Sequence, residues 1–192
     1  MTPSSGPAPW LRGEVRSLAK TRILEVQGVH YRHPRREAGR EFNVIHAPDW
    51  VNVVALTPDD RLVLVRQFRF GIDALSLEVP GGVIDAGESP LAAGVRELRE
   101  ETGFTGDAPV LLGRVHPNPA IQDNRCHLVL ITNARRTAEL DWDPDEELEV
   151  LTQPVEEVYA LAAAGGITHA LVLNALLLFR PHWERRRDPG AV

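Results

Sequence analysis

Apolar positions along this chain fall into one helical stretch and several strand-like ones. Leu91, Val95, Leu98 and Thr102 recur at spacings of four, three and four, which puts them on one stripe of a 3.6-residue helix, facing a core. Ser89 is a good N-cap, Pro90 suits the first helical position, and Gly103 can take the left-handed C-cap conformation. A helix over 90–102 follows. Residues 23–32 and 41–47 are strand-like and are separated by a polar stretch, 33–40, which predicts a hairpin. Residues 51–57 and 61–67 are apolar, β-branched runs joined by Pro58-Asp59-Asp60, and predict a second hairpin. A strand over 75–79 leads into Pro80-Gly81-Gly82, where paired glycines let the backbone approach a ligand closely.

Beyond the helix, 110–115 and 127–132 read as strands, and Pro117 and Pro119 bar the loop between them from ladder pairing. Residues 148–152 form a short strand. A helix after Pro154 ends at Gly165-Gly166, and another runs from Thr168 towards Trp183. The expected organisation is a flexible tail over 1–17, an N-terminal β-sheet over 18–50, and a main domain over 51–192. Its fold class is α/β: an α/β/α sandwich around a mixed β-sheet, with an N-terminal antiparallel β appendage.

Composition narrows the function classes. The chain has 192 residues, 43% apolar and 25% charged, which is ordinary globular protein. A net charge of −6 argues against a general nucleic-acid surface. Lys20 is the only lysine among 21 basic residues, a bias of composition and no sign of selected phosphate contacts. Cys126 is the sole cysteine, so a reducing compartment is expected. Residues 1–10 lack the apolar segment of a signal peptide, and the longest apolar run, 170–179, is too short for a bilayer. The expectation is a cytoplasmic protein with no membrane or nucleic-acid partner.

Candidate chemistry lies on the predicted helix. Glu97, Glu100 and Glu101 share the side away from the apolar stripe, where their charges repel by some tenths of a kcal/mol per pair. A divalent cation would reverse that sign, and hard oxygen donors suit Mg²⁺ or Mn²⁺. Taken alone, such a run is an ordinary solvated acidic face balanced by Arg96 and Arg99. The surroundings change this. Gly82, five residues, Glu88, seven residues, then Arg96-Glu97-Leu98-Arg99-Glu100-Glu101-Thr102-Gly103-Phe104 matches the signature G-x5-E-x7-R-E-U-x-E-E-x-G-U at every position. In this the chain resembles the Nudix hydrolases. The resemblance implies a Nudix fold in which Glu97, Glu100 and Glu101 hold metal, Arg96 and Glu100 belong to the catalytic cluster, Glu88 pairs with Arg96, and Gly103 ends the helix.

Three features resemble the ADP-ribose pyrophosphatase branch of that family: Val65-Arg66-Gln67-Phe68-Arg69 followed by Glu78-Val79-Pro80-Gly81-Gly82, Pro119 fifteen positions beyond the signature, and the N-terminal sheet. In that branch the sheet exchanges across a two-fold axis, so a homodimer is implied, with both subunits building each substrate site. Gly81, where the branch often has alanine, supplies a backbone carbonyl to the metal; Arg69, Glu78 and Gly82 contact substrate phosphates or the metal shell; Tyr31, Phe42 and Trp50 are the candidates for stacking on the base. The general base is Glu146 or, alternatively, Asp123 in the loop after Pro119. The implied reaction is Mg²⁺- or Mn²⁺-dependent hydrolysis of a nucleoside diphosphate sugar, ADP-ribose to AMP and ribose 5-phosphate. GDP-mannose or another sugar nucleotide is the alternative substrate, because Asn118-Pro119-Ala120-Ile121 departs from the branch's S-P-G. A non-catalytic sugar-nucleotide sensor is the alternative of another class.

Overall fold

In a computed structural model the described residues are 6–142 and 147–188. The chain divides into two units, 1–48 with 118–124, and 49–117 with 125–192. The first is an antiparallel sheet of β1 (Leu11–Lys20), β2 (Glu25–Arg32) and β3 (Gly39–His46), in that spatial order. The 33–40 turn brings Arg32 opposite Gly39 and carries the expected hairpin pairing through to Glu25 opposite His46. Residues 11–17, for which a tail is expected, lie within β1 and pair with β2 from Leu11–Arg32 to Lys20–Glu25. Every residue of β1 is exposed, so no alternation of apolar and polar positions marks it as a strand. Residues 118–124 join this unit through an isolated bridge between Ile45 and Gln122.

The second unit is built on alternation along three buried strands. β4 (Trp50–Ala55) pairs in parallel with β10 (Cys126–Ile131), giving the sheet order β7-β4-β10-β9, where β7 is Gly81–Val83 and β9 is Val110–Val115. β5 (Arg61–Arg69) lies between β12 (Leu148–Pro154) and β6 (Ala74–Glu78) in a second, antiparallel sheet. A short ladder joins β8 (Phe104–Thr105) to β11 (Arg135–Arg136). Val51, Val53, Val63, Val129 and Ile131 pack with Ala93 and Leu98 of helix α1 (Pro90–Thr102). Val54, Leu64 and Leu128 point the other way, into a core closed by α2 (Val155–Ala163) and α3 (Ala170–Arg187). This is the expected α/β/α sandwich, with the strands' period of two feeding two apolar layers.

The 51–57 and 61–67 runs do not form the expected hairpin. Both edges of β4 are occupied, by β7 and β10, so β5 turns into the other sheet and the two runs are linked only where they meet, by a Leu56–Leu62 bridge and the Thr57–Arg61 bonds of the turn. Helix α1 has the expected ends: the Ala92 N–H donates to Ser89 Oγ at 3.2 Å, and Gly103 sits at φ 71° with its N–H on Arg99 O. Its stripe is rotated from expectation, because Gly94 rather than Val95 meets Val129 and Val53, which leaves Val95 40% exposed. No helix among the described residues is long and apolar enough to cross a membrane.

Gly87 and Gly103 separate backbone strain from steric overlap. Both have positive φ, but a Cβ at Gly87 meets open space, whereas one at Gly103 overlaps Ala138 O. Gly87→Ala should cost about 1–2 kcal/mol in urea unfolding, the left-handed penalty alone, and Gly103→Ala clearly more. Equal losses would show that the Ala138 carbonyl yields freely.

Candidate active site

One wall of the site is strand β7, whose first two residues carry no side chains where they meet their neighbours. Gly81 and Gly82 pair with Asn52 and Val51 of β4. A Cβ at 81 would overlap Val51 O and crowd Asn52 Oδ1 at 2.8 Å, so even an alanine has no room here. A Cβ at 82 would lie 2.6 Å from Glu97 Cδ. The Gly81 N–H donates to Glu101 Oε2 at 2.9 Å, and Glu101 is only 4% exposed. Trp142 covers the same turn of helix, its indole N–H donating to Glu101 O.

Arg96 organises the outer carboxylates. Its Nε and Nη2 bond Glu88 at 3.1 and 3.0 Å, Nη2 also reaches Val83 O, and Nη1 donates to Glu97 Oε1 at 2.8 Å and Glu100 Oε2 at 3.1 Å. The expected Glu88–Arg96 brace is present. The bonds to Glu88, then the Glu97 charge and the bonds to Glu97 and Glu100, push the Arg96 pKa up against burial, while Arg96 holds the Glu88 carboxyl below the usual range. Among the described residues no three acidic or imidazole groups already converge into a metal cage. The reason is visible in the partners: Arg96 draws Glu97 and Glu100 while the Gly81 amide draws Glu101.

Glu97, Glu100, Glu101, Gly81, Gly82, Arg96 and Arg69 nevertheless line one cavity of about 520 Å³, joined by Asp141. A second cavity, of about 590 Å³, shares Arg69, Gly81, Gly82 and Val83 with it and extends past Trp50, Glu78 and His169. An ion pair with a buried carboxylate lines the second cavity, and its arginine lines both. Arg69 Nε and Nη2 donate to the two oxygens of Glu78 at 2.8 and 2.7 Å, and Glu78 is 3% exposed. Burial pushes the Glu78 carboxyl up, but the bonds and charge of Arg69, with His169, hold it below the ordinary value.

Other expected residues fall elsewhere. Trp50, expected among aromatics of the N-terminal sheet, is the first residue of β4 and lines the second cavity. Tyr31 and Phe42 lie in the N-terminal unit, half-buried, in T-shaped contact at 5.8 Å, with Trp10 against Phe42 and the Arg40 guanidinium 4.4 Å from its ring. Pro119 and Asp123 also belong to that unit, where Asp123 Oδ2 meets His46 Nδ1 at 2.8 Å. Glu146 lies outside the described residues. Sequence reasoning passed over Asn52, Asp141 and His169. A signal for the last existed: a histidine stands at the α3 N-cap, where Ser, Thr or Asp is favoured, and makes no side-chain capping bond. Cys126 is fully buried, and burial with the Asp49 charge pushes its thiol up to about 12, so it is no nucleophile at neutral pH.

The Arg69–Glu78 pair gives a pH test with a defined sign. In the wild type the Glu78 pKa is lowered from 4.5, so its contribution is present above that pH and is lost as pH falls through the folded value. In Arg69→Met the two largest opposing causes are gone, burial is set only against His169 and a Ser76 hydrogen bond, and the folded pKa rises. Because Arg69 is 43% exposed, the loss at pH 7 should be about 2–3 kcal/mol, short of the full cost of breaking a buried pair. It should shrink at pH 5. Urea unfolding with equal losses at both values would refute this account of Glu78.

The geometry now has relatives to stand beside. A family model described as "NUDIX domain" matches residues 46–175. The chain is 28% identical to an ADP-ribose pyrophosphatase of Bacillus subtilis over 171 residues, 85% of this chain and 91% of that one. It is 26% identical to the ADP compounds hydrolase NudE of Escherichia coli over 168 residues, 86% of this chain and 89% of that one. A crystal structure of an ADP compounds hydrolase superposes with a TM-score of 0.83 at 24% identity, covering 96% of this chain and 99% of that one, which shows the fold. A matched domain spanning most of the chain, on this fold and with the whole signature in place, means that the chain belongs to the Nudix hydrolase family.

Proposed function

We propose that this chain hydrolyses the diphosphate linkage of a nucleoside diphosphate sugar with the help of a divalent cation, and that ADP-ribose, giving AMP and ribose 5-phosphate, fits it best. The observation that carries this is the pair of cavities meeting at Arg69 and Gly81-Gly82-Val83. One is acidic and the other is lined by Trp50, Ile72 and Leu171, so a ligand spanning both has a charged middle and a less polar end. The name of the Bacillus subtilis relative, ADP-ribose pyrophosphatase, supports the same substrate class.

The donor set fits Mg²⁺ or Mn²⁺. Both take oxygen ligands, and Mg²⁺ in particular is commonly held by one or two carboxylates with waters and phosphate oxygens completing the shell, so a ready-made cage of three is not required. Glu97, Glu100 and Glu101 would hold the cation, with the Gly81 carbonyl. When bound it would offset the diphosphate charge and make a coordinated water more acidic. The chain does the rest. Arg96 keeps Glu97 and Glu100 facing the cavity, the glycines admit the diphosphate against the backbone, and Arg69, held by Glu78 and lining both cavities, places a positive charge beside the phosphate oxygens. Glu146 is our choice of base, with Asp123 as the rival, for taking a proton from the attacking water.

The N-terminal sheet is assigned to dimerisation, since β1 exposes Leu11, Val15 and Leu18 along its length. A cytoplasmic location belongs to the same reading, with a single buried cysteine.

Phosphomonoester release from a panel of sugar nucleotides should require added Mg²⁺ or Mn²⁺, stop with EDTA, and favour ADP-ribose over GDP-mannose. Glu101→Gln should abolish it. Gly82→Ala, whose methyl displaces the Glu97 carboxylate, should raise the cation concentration needed for half-maximal rate. Glu146→Gln should lower kcat by about 100-fold or more; if Asp123→Asn does so instead, the base is misassigned. A panel with no turnover removes the proposed reaction. Light scattering should give twice the chain mass, and Val15→Asp with Leu18→Asp should halve it; a monomeric wild type excludes the dimer.

A further inference from the structure

Glu78 has a second neighbour besides Arg69. His169 Nε2 stands 3.9 Å from Glu78 Oε2, too far for a direct hydrogen bond and wide enough for one oxygen about 2.8 Å from each atom. The other ring nitrogen, Nδ1, is buried and finds no hydrogen-bond partner among the described residues. Nor is the ring engaged with its own helix, since it makes no capping bond at the start of α3. Both side chains line the larger cavity.

These facts fix what can sit in the gap. A buried, unbonded nitrogen is least costly without a proton, because orphaned N–H groups are the rarer and harsher defect. Nε2 faces the carboxylate and carries a proton whether the ring is neutral in this tautomer or charged, so the imidazole is a donor towards the cavity. Glu78, kept ionised by Arg69, is an acceptor. A bridging group must accept from His169 and donate to Glu78. A hydroxyl does both, as does a water whose place a ligand hydroxyl would take with the same two bonds. A phosphate oxygen cannot donate and is repelled by the carboxylate, and an ammonium cannot accept.

We propose that Glu78 and His169 form a hydroxyl-reading subsite that binds one sugar hydroxyl of the nucleotide, with His169 determining specificity there. The choice of a sugar nucleotide as ligand rests on the function proposed above. The reading of a hydroxyl rests on the side chains alone. Because a buried site built to pair with a hydroxyl leaves its own polar groups unpaired when the hydroxyl is missing, it discriminates against the deoxy analogue.

The test uses the full chain. Titration calorimetry with Mg²⁺ present measures binding of ADP-ribose whose diphosphate bridge is a non-cleavable methylene, of its 2′-deoxy and 3′-deoxy forms on either ribose, and of the corresponding methyl ester of ADP, which lacks the second sugar; steady-state rates with Mg²⁺ and the cleavable compounds run alongside. Wild type should bind one of the analogues about five- to tenfold more weakly than ADP-ribose, the worth of one hydrogen bond. His169→Ala should bind ADP-ribose and that analogue alike, with KM for ADP-ribose raised by the same factor and kcat within about twofold. His169→Gln, whose amide can occupy the same place, should recover most of the discrimination. Discrimination that persists in His169→Ala, a wild type indifferent to every missing hydroxyl, or a fall in kcat at constant KM would each overturn the subsite. Discrimination in binding without any turnover would remove the hydrolase reading and leave the subsite standing. No binding at all overturns both.

Discussion

The working parts of this site are held where they are by missing side chains. Strand β7 can lie against β4 only because Gly81 has no Cβ to strike Val51 O, and it can lie against α1 only because Gly82 leaves the Glu97 carboxylate its space. Once the backbone is that close, the Gly81 N–H reaches a buried Glu101, and one charge-assisted bond fixes how the helix is turned about its axis. Gly94 does the same on the sheet side, admitting Val53 and Val129 to the helix surface. The exposure of Val95 is a consequence of that rotation. With Gly94 and Leu98 facing the sheet, the next position round the helix faces solvent, and Glu97 and Glu100 face the cavity with it out of the core.

Helix α1 was legible in the sequence because its signals are local. Ser89, Pro90 and Gly103 each act on backbone groups within a turn of themselves, and the Glu88–Arg96 brace spans a short loop. The strands were less so. β1 has no buried face, so no period of two records it. The turn between β4 and β5 was correctly placed, with Thr57 N bonded to Arg61 O, but the partners of β4 are decided far away in the chain. Its six residues and those of β10 are apolar or nearly so on both faces, the mark of central strands, and a central parallel strand cannot also be half of a simple hairpin. For the same reason Glu78 could be found by its motif and His169 could not. Their approach depends on where the strand β6 ends and where α3 begins, and no spacing along the chain encodes that distance.

Under the proposed function, the charges in the acidic cavity explain why diphosphate and cation have to arrive together. Among the described residues it is lined by Asp85, Glu97, Glu100, Glu101 and Asp141 against Arg69 and Arg96. Both arginines are already committed, Arg69 to a buried Glu78 and Arg96 to Glu88, Glu97 and Glu100. The net field therefore repels a diphosphate, and in a partly enclosed site that repulsion is stronger than in bulk water. A cation alone meets carboxylates that Arg96 and the Gly81 amide are holding. A cation carrying a diphosphate meets the same carboxylates with its own charge partly balanced, and it presents Arg69 with phosphate oxygens. The second cavity adds what charge cannot. Its hydroxyl-sized gap lies between a donor, His169, and an acceptor, Glu78, a pair that a bare phosphate cannot satisfy, so occupancy there favours ligands that carry a sugar.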